Sequence, residues 1–333
     1  MLKLSNEVKN IFSGLRLVYF GTGTFALPAL KALLEAGIKP IVVVTSPDMK
    51  VGRDQILTPS PIKAFAVNKN LPLLQPIKLD EEFLGTFKKL QPDIVVLTDY
   101  GKIIPQKVLG VPVHGFLNIH PSLLPKYRGA SPVENVILNG EIQTGVSIIV
   151  VDALLDHGPI VSKRKTKIKE TDTAQTLRER LSRVGAELLI KSLPRYLTSK
   201  NNPKEQSHDD ASFTTQLSRE DGKISFAEDA ETIERKVRAF TPWPGAYAIW
   251  KTADGEKRLK ILKASVGQGI ASEELSDAVE PPYGLVVKHG PEIGILTSKR
   301  ILVLHNLQLE GKSPMNAKDF LNGYSQIIGN VLI

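Results

Sequence analysis

Up to residue 198 the chain alternates between short runs that are apolar almost throughout and longer runs in which apolar side chains recur every three or four positions. Residues 15–20, 40–45, 71–75, 91–98 and 113–120 are of the first kind and read as strands. Residues 25–36, 62–70 and 80–90 are of the second kind; in the first of them Leu27, Leu30, Leu33 and Leu34 share a helix face. Strand and helix in alternation predict βαβ units, and therefore a Rossmann-like α/β domain built on a parallel sheet with right-handed crossovers. Residues 145–151 and 160–161 are expected to be two further strands joined by a loop that carries Asp156. Lysines then alternate through residues 163–169, the pattern of an edge strand guarded against edge pairing, or of a stripe that faces RNA. A long amphipathic helix over 173–197, with Thr171 and Asp172 placed to cap it, closes the first domain.

The pattern changes after that. Residues 199–215 are polar, contain Asn201, Asn202 and Pro203, and read as a linker. A helix from 227 carries Ile233, Val237 and Phe240. Short strands follow at 246–251, 258–265, 284–287, 292–296 and 301–308, which together predict a small β-barrel. The expected organisation is an extension (1–14), a first domain (15–198), a linker (199–215) and a smaller second domain (216–333).

Polar residues interrupt this scheme in a few places. Along residues 113–120 alternation puts Asn118 and His120 on one strand face, and Pro121 and Pro125 then stop the strand. The chain must continue as a loop with Arg128-Gly129 exposed at its bend, so that an amide, an imidazole and a guanidinium would converge at the carboxyl end of a strand, where α/β sheets usually bind ligands. Asp156 could reach His120 and orient it. The alternative is a histidine that merely satisfies its hydrogen bonds beside a turn-forming Asn118. Asp99, at the carboxyl end of the 91–98 strand, either bears on the same pocket or caps the helix near Ile104. Residues 46–61, with three prolines and Gly52, are too long for an ordinary connection and are expected to be functional. Gly21-x-Gly23-x-x-Ala26 fits the dinucleotide fingerprint, which also needs an acidic residue roughly 20 positions on. Asp48 is offered only inside a proline-bounded loop, so the glycines are read first as allowing a tight strand-to-helix turn.

Composition narrows the classes. With 333 residues, 42% hydrophobic and 23% charged, the chain is long enough for two soluble domains. It has no Cys, which excludes disulfides and thiol catalysis, and its 6 His lack zinc spacing, so no metal is expected. No run approaches the roughly 20 apolar residues of a membrane span, and residues 1–14 lack the features of a signal peptide, so a cytoplasmic protein is expected. The net charge of +8 is uneven: residues 1–206 hold 28 Lys+Arg against 18 Asp+Glu, and residues 207–333 hold 15 against 17. An anionic partner would be attracted mainly by the first domain.

The stretch Asn118-x-His120-x-Ser122-Leu-Leu-Pro-Lys-Tyr-Arg-Gly-Ala-Ser-Pro132, followed by Leu155-Asp-His-Gly-Pro159, resembles the signature of the folate-dependent formyltransferases. Phe20-Gly-Thr-Gly-Thr-Phe-Ala26, Thr58-Pro-Ser-Pro-Ile-Lys63, Tyr100-Gly101 and Arg238-Ala-Phe-Thr-Pro-Trp-Pro244 are similar in particular to the branch whose acceptor is methionyl initiator tRNA. The resemblance implies transfer of formyl from 10-formyltetrahydrofolate to an amine, with an OB-like second domain in a monomer. Such a reaction needs donors for the charge that develops on the formyl oxygen and an acceptor for the amine proton, roles that suit Asn118 and His120 as donors and Asp156 as base. By resemblance Ser122, Leu123, Leu124 and Pro125 line the folate pocket and Arg53 meets the tRNA. Lys50 and Lys63 are either phosphate ligands or solvated. Arg128 is left open between the folate's acidic tail, an RNA phosphate and a structural salt bridge, and His114 and His157 are less suited to the chemistry. The other readings are formylation of a sugar-nucleotide or other small amine, an NAD(P)-binding oxidoreductase built on Gly21 and Gly23, and a non-catalytic RNA-binding module.

Overall fold

The computed structural model describes residues 10–52, 54–200, 202–253, 255–267 and 282–333. Two compact units are present: residues 1–132, 143–167 and 178–214 form one, and residues 133–142, 168–177 and 215–333 the other.

The first unit is built on a seven-stranded sheet. Leu73–Leu74, Val42–Val44, Leu17–Gly21, Ile94–Thr98 and Phe116–His120 lie side by side in that order and run parallel. Gln143–Val150 is antiparallel to Phe116–His120, and Ile160–Lys167 closes the edge antiparallel to it. The central strands are buried residue after residue, as expected where a parallel sheet is covered on both faces. One face is packed by an aromatic cluster in which Phe20 touches Phe83, Phe87, Tyr100 and Phe116 at ring separations of 5.1 to 6.3 Å. The edge strand keeps its lysines exposed on one face, and the ammonium of Lys163 also donates to the Leu124 carbonyl at 2.9 Å.

Helix starts follow local chemistry. Ser60 and Asp80 accept the backbone N–H groups of Lys63 and Phe83 and so begin the Pro61–Asn68 and Glu81–Lys89 helices. The long helix Ala174–Leu197 begins one residue later than the expected caps: Thr173 accepts the N–H of Thr176, and Asp172 braces the turn by accepting from the Thr176 hydroxyl. The strand expected over 113–120 is shorter, because Val113 is exposed and His114 and Gly115 turn before Phe116. Within residues 46–61 the chain forms a small hairpin, Met49–Val51 against Ile56–Thr58, that the irregular composition hid.

The second unit is an antiparallel sheet in the order Tyr247–Thr252, Gly255–Gly267, Ile301–Leu309, Glu292–Leu296 and Val286–His289, with Met315–Asn316 pairing on Ile301–Leu309. Its two edges are joined by the C-terminal residues: Leu332 bridges Trp250 and Val331 bridges Leu285, which turns an open sheet into a small barrel-like body. The helix Ala230–Ala239, capped by Asp229, packs Ile233 and Val237 into its core. A further helix, Ala317–Tyr324, capped by Asn316, was not apparent from the sequence and buries Phe320.

Candidate active site

Phe116–His120 ends inside the first unit with Asn118 and His120 side by side, as alternation requires. Both meet one carboxylate oxygen. Asn118 Nδ2 donates to Asp156 Oδ1 at 3.3 Å, and His120 Nδ1 lies 3.4 Å from the same atom. The other oxygen, Oδ2, accepts the backbone N–H of Gly129 at 2.9 Å. His120 is 4% exposed, so the cluster is largely withdrawn from water.

The tautomer of His120 follows from its second contact. Nε2 lies 2.8 Å from the Tyr127 carbonyl oxygen, and a carbonyl only accepts, so Nε2 carries a proton. A neutral imidazole therefore turns the lone pair of Nδ1 towards Asp156. Nδ1 and Oδ1 then face each other as two acceptors 3.4 Å apart. Asn118 uses one amide N–H on Asp156 and has a second to offer.

Loops on either side set this geometry. Asp156 has φ 48° and Tyr127 φ 60°, both in the left-handed region where non-glycine residues rarely sit. Gly129 has φ 106°, and a Cβ there would lie 2.3 Å from the Thr214 carbonyl oxygen, so only glycine lets the two segments pass this closely.

The residues expected to line a folate pocket are placed unevenly. Ser122 and Leu124 are buried: the Ser122 hydroxyl donates to the Lys126 carbonyl at 2.7 Å, and Leu124 N–H donates to Ser147 Oγ at 3.1 Å. Ser147 Oγ in turn donates to the Ser122 carbonyl at 2.7 Å, which ties the loop to the neighbouring strand. Leu123 and Pro125 remain half-buried.

Arg128 departs from expectation. It is 3% exposed rather than at an open bend. It donates to Gln206 Oε1 at 2.8 and 3.3 Å, meets His208 Nδ1 at 2.9 Å and lies over the Phe213 ring at 5.8 Å. These partners are neutral, so the salt bridge considered from sequence is replaced by hydrogen bonds. His157 bonds Asp152 through Nδ1 at 2.7 Å and stacks on His208 at 4.0 Å, and the carbonyl of His114 accepts from the Tyr196 hydroxyl.

Comparison with known proteins shows the family. Residues 15–193 match the family described as Formyl transferase, and residues 216–325 match Formyl transferase, C-terminal domain. This chain belongs to the formyl transferase family. A protein named methionyl-tRNA formyltransferase from Thermodesulfovibrio yellowstonii is 40% identical over 308 residues, covering 92% of this formyltransferase and 95% of that protein. One of the same name from Citrifermentans bemidjiense is 38% identical over 323 residues, with 96% and 97% covered. Among solved structures, an N-formyltransferase from Helicobacter canadensis in complex with folinic acid and dTDP-3-aminofucose superposes with a TM-score of 0.62 at 20% identity, covering 87% of this chain and 98% of that one. HypX from Aquifex aeolicus in complex with tetrahydrofolic acid gives 0.59 at 14%, covering 94% and 48%. Both likenesses concern the fold.

The remaining expectations for this formyltransferase sort by contact. Lys50 is exposed on the Met49–Val51 strand. Lys63 is instead committed to Asp48, with both carboxylate oxygens at 2.7 Å, and Gln75 adds a third bond at 3.0 Å. These bonds, that to Lys63 foremost, hold the Asp48 carboxyl below its ordinary range. Arg53 lies outside the described residues, as does most of the extension expected at 1–14.

The glycine turn does not offer a phosphate site. The Asp99 carboxylate fills it: a Cβ on Gly23 would lie 2.0 Å from Asp99 Oδ2, and the carboxylate accepts the N–H of Phe25. A pyrophosphate placed there would meet a negative charge, and Asp48 is already engaged by Lys63. The dinucleotide reading therefore fails on geometry. Asp99 keeps an exposed edge, yet crowding by protein raises its carboxyl pKa, since desolvation outweighs the favourable Arg178 charge and the Phe25 N–H. A carboxyl raised by folding favours the native state while protonated and opposes it once ionised. Asp99→Asn is accordingly expected to raise the melting temperature near neutral pH, with the gain shrinking as the pH is lowered and both proteins become neutral there. Thermal melts over a pH series read this directly; an equal gain at every pH would assign it to packing instead.

Proposed function

We infer that this formyltransferase moves the formyl group of 10-formyltetrahydrofolate onto the α-amine of methionine esterified to initiator tRNA. The observation that carries the reading is the convergence of Asn118 and His120 on one oxygen of Asp156, in a chain about 40% identical over nearly its whole length to proteins named for this reaction. The folate supplies an activated formyl carbon, and the donor set present fits it. Asn118 offers its second N–H to the formyl oxygen as charge develops there, an interaction typically worth about 2.7–4 kcal/mol for an oxyanion donor. His120 adds Nε2–H by exchanging the Tyr127 carbonyl for the substrate. The proton released by the amine is held between His120 Nδ1 and Asp156 Oδ1. Formyl passes directly between the two substrates, so no residue of the chain need become acylated.

Leu123, Pro125 and the backbone around the buried Ser122 and Leu124 are the surface offered to the folate. Lys50 and Arg53 belong to the segment offered to tRNA; Lys63 serves it indirectly, by fixing Asp48 at its base. The protein works as a cytoplasmic monomer, and among the described residues no helix is long and apolar enough to cross a membrane.

The test is transfer of labelled formyl from 10-formyltetrahydrofolate to methionyl initiator tRNA, with uncharged tRNA, free methionine and a nucleotide amino-sugar as parallel acceptors. Label on the charged tRNA alone is the expected result. Label on the amino-sugar in its place would move the protein to the sugar branch of the family.

A further inference from the structure

The segment expected to be a linker contributes to the site. Ile160 and Lys204 exchange backbone hydrogen bonds at 2.7 and 2.9 Å, which anchors the segment beside the strand that follows the Asp156 loop. Nine residues on, Phe213–Thr214 begins to pair in parallel with Arg128–Gly129. Ser212 accepts the N–H of Arg128 through its carbonyl and that of Tyr127 through its hydroxyl, both at 2.8 Å. Thr214 donates its hydroxyl to the Arg128 carbonyl at 3.1 Å and accepts the N–H of Ser131 at 3.2 Å. Residues 204–214 thus cross from the loop of Asp156 to the loop of Gly129, the two loops whose meeting fixes the carboxylate.

Gln206 sits between these anchors and is 5% exposed. Its Nε2 donates to the carbonyl oxygens of Asp156 at 2.9 Å and Gly158 at 2.8 Å, and its Oε1 accepts twice from Arg128. One side chain therefore has its full hydrogen-bonding capacity divided between the two loops. The backbone it grips is the strained one: Asp156 at φ 48° persists only where its surroundings over-determine it.

We propose that residues 204–214 are a strap over the formyl-transfer site and that Gln206 is a positioning residue for Asp156, holding its backbone in the left-handed conformation from which the carboxylate reaches both Gly129 N–H and the His120–Asn118 pair. The proposal rests on the formyl-transfer reading. Gln206 touches no reacting atom; it acts through the Asp156 carbonyl. Loss of its grip displaces the carboxylate by a fraction of its hydrogen-bond length and leaves the folate and tRNA surfaces in place.

Two variants of the full chain separate this from a role in stability alone. Gln206→Met keeps the shape and removes every bond. Gln206→Glu keeps the acceptor facing Arg128 but turns a carboxylate oxygen onto the two carbonyls. Both, assayed as folded protein beside the wild type, are expected to lose about 10²-fold in kcat, the scale of a small misplacement of a reacting group, with KM for folate and for tRNA within about twofold of wild type. Wild-type kcat in folded Gln206→Glu would show that only the Arg128 half matters and would overturn the proposal, as would a loss confined to KM. Failure of the wild type itself to formylate would strike the functional reading, a separate outcome.

Discussion

Asp156→Asn is expected to lower kcat by about 10²–10⁴-fold, the usual contribution of a general base, with little change in the affinity for either substrate. The substitution is chosen because the site can accommodate it. An amide oxygen can accept the Gly129 N–H as Oδ2 now does, and the amide N–H₂ can face the lone pair of His120 Nδ1, provided that the Asn118 amide turns its oxygen towards residue 156 in place of the N–H it now donates to Oδ1. What the amide cannot do is take the amine's proton. Single-turnover formylation at saturating substrate isolates that step. A variant that turned over normally once saturated, and suffered only in binding, would mean that Asp156 orients the site and moves no proton.

Gly129→Ala is expected to be costly in both stability and rate. The added methyl would lie 2.3 Å from the Thr214 carbonyl oxygen on a backbone at φ 106°, so the Arg128–Gly129 loop and the Phe213–Thr214 segment must part. Overpacking of this kind costs roughly 1–3 kcal/mol. The same movement withdraws the Gly129 N–H from Asp156 Oδ2, so kcat should fall even where the protein is fully folded. Urea denaturation and kcat measured on one preparation check the two halves together. An alanine variant as stable and as fast as wild type would show that the two segments do not pass this closely in solution.

The legible part of the site was the part encoded by local periodicity. Asn118 and His120 had to share a face because they are two residues apart on a strand, and Pro121 and Pro125 had to end that strand at the sheet's carboxyl edge. Asp156 was reachable because a strand–loop–strand pattern frames it. The same reasoning recovered the parallel sheet and most strands of the second unit, whereas the hairpin at 49–58 and the helix at 317–324 escaped it. The hairpin is too short to show a period, its apolar Met49, Val51, Ile56 and Leu57 all being exposed, and the helix follows a strand with little punctuation beyond Asn316.

Arg128, Lys63 and Gln206 were misjudged or missed for a different reason. Each has its partner far away along the chain or in a segment with no pattern of its own: Gln206 lies 78 residues from Arg128 and 50 from Asp156. A charged side chain in a proline-rich loop looks solvated until its neutral acceptors are known. Asp99 illustrates the same limit. Nothing in its neighbours says that its carboxylate will lie in the glycine turn of residues 21–23.

The strap also says where the chain can be divided. A fragment ending with the long helix at Leu197 would contain Asn118, His120 and Asp156 and would look complete by its motifs. It would lack Gln206, Ser212 and Thr214, leaving the Arg128 guanidinium without its buried acceptors and the Asp156 loop without its grip. A catalytic fragment, or the junction of a chimaera between two members of the family, should therefore be cut after Thr214, because the ten residues before that point hold the Asp156 and Gly129 loops even though they read as connection.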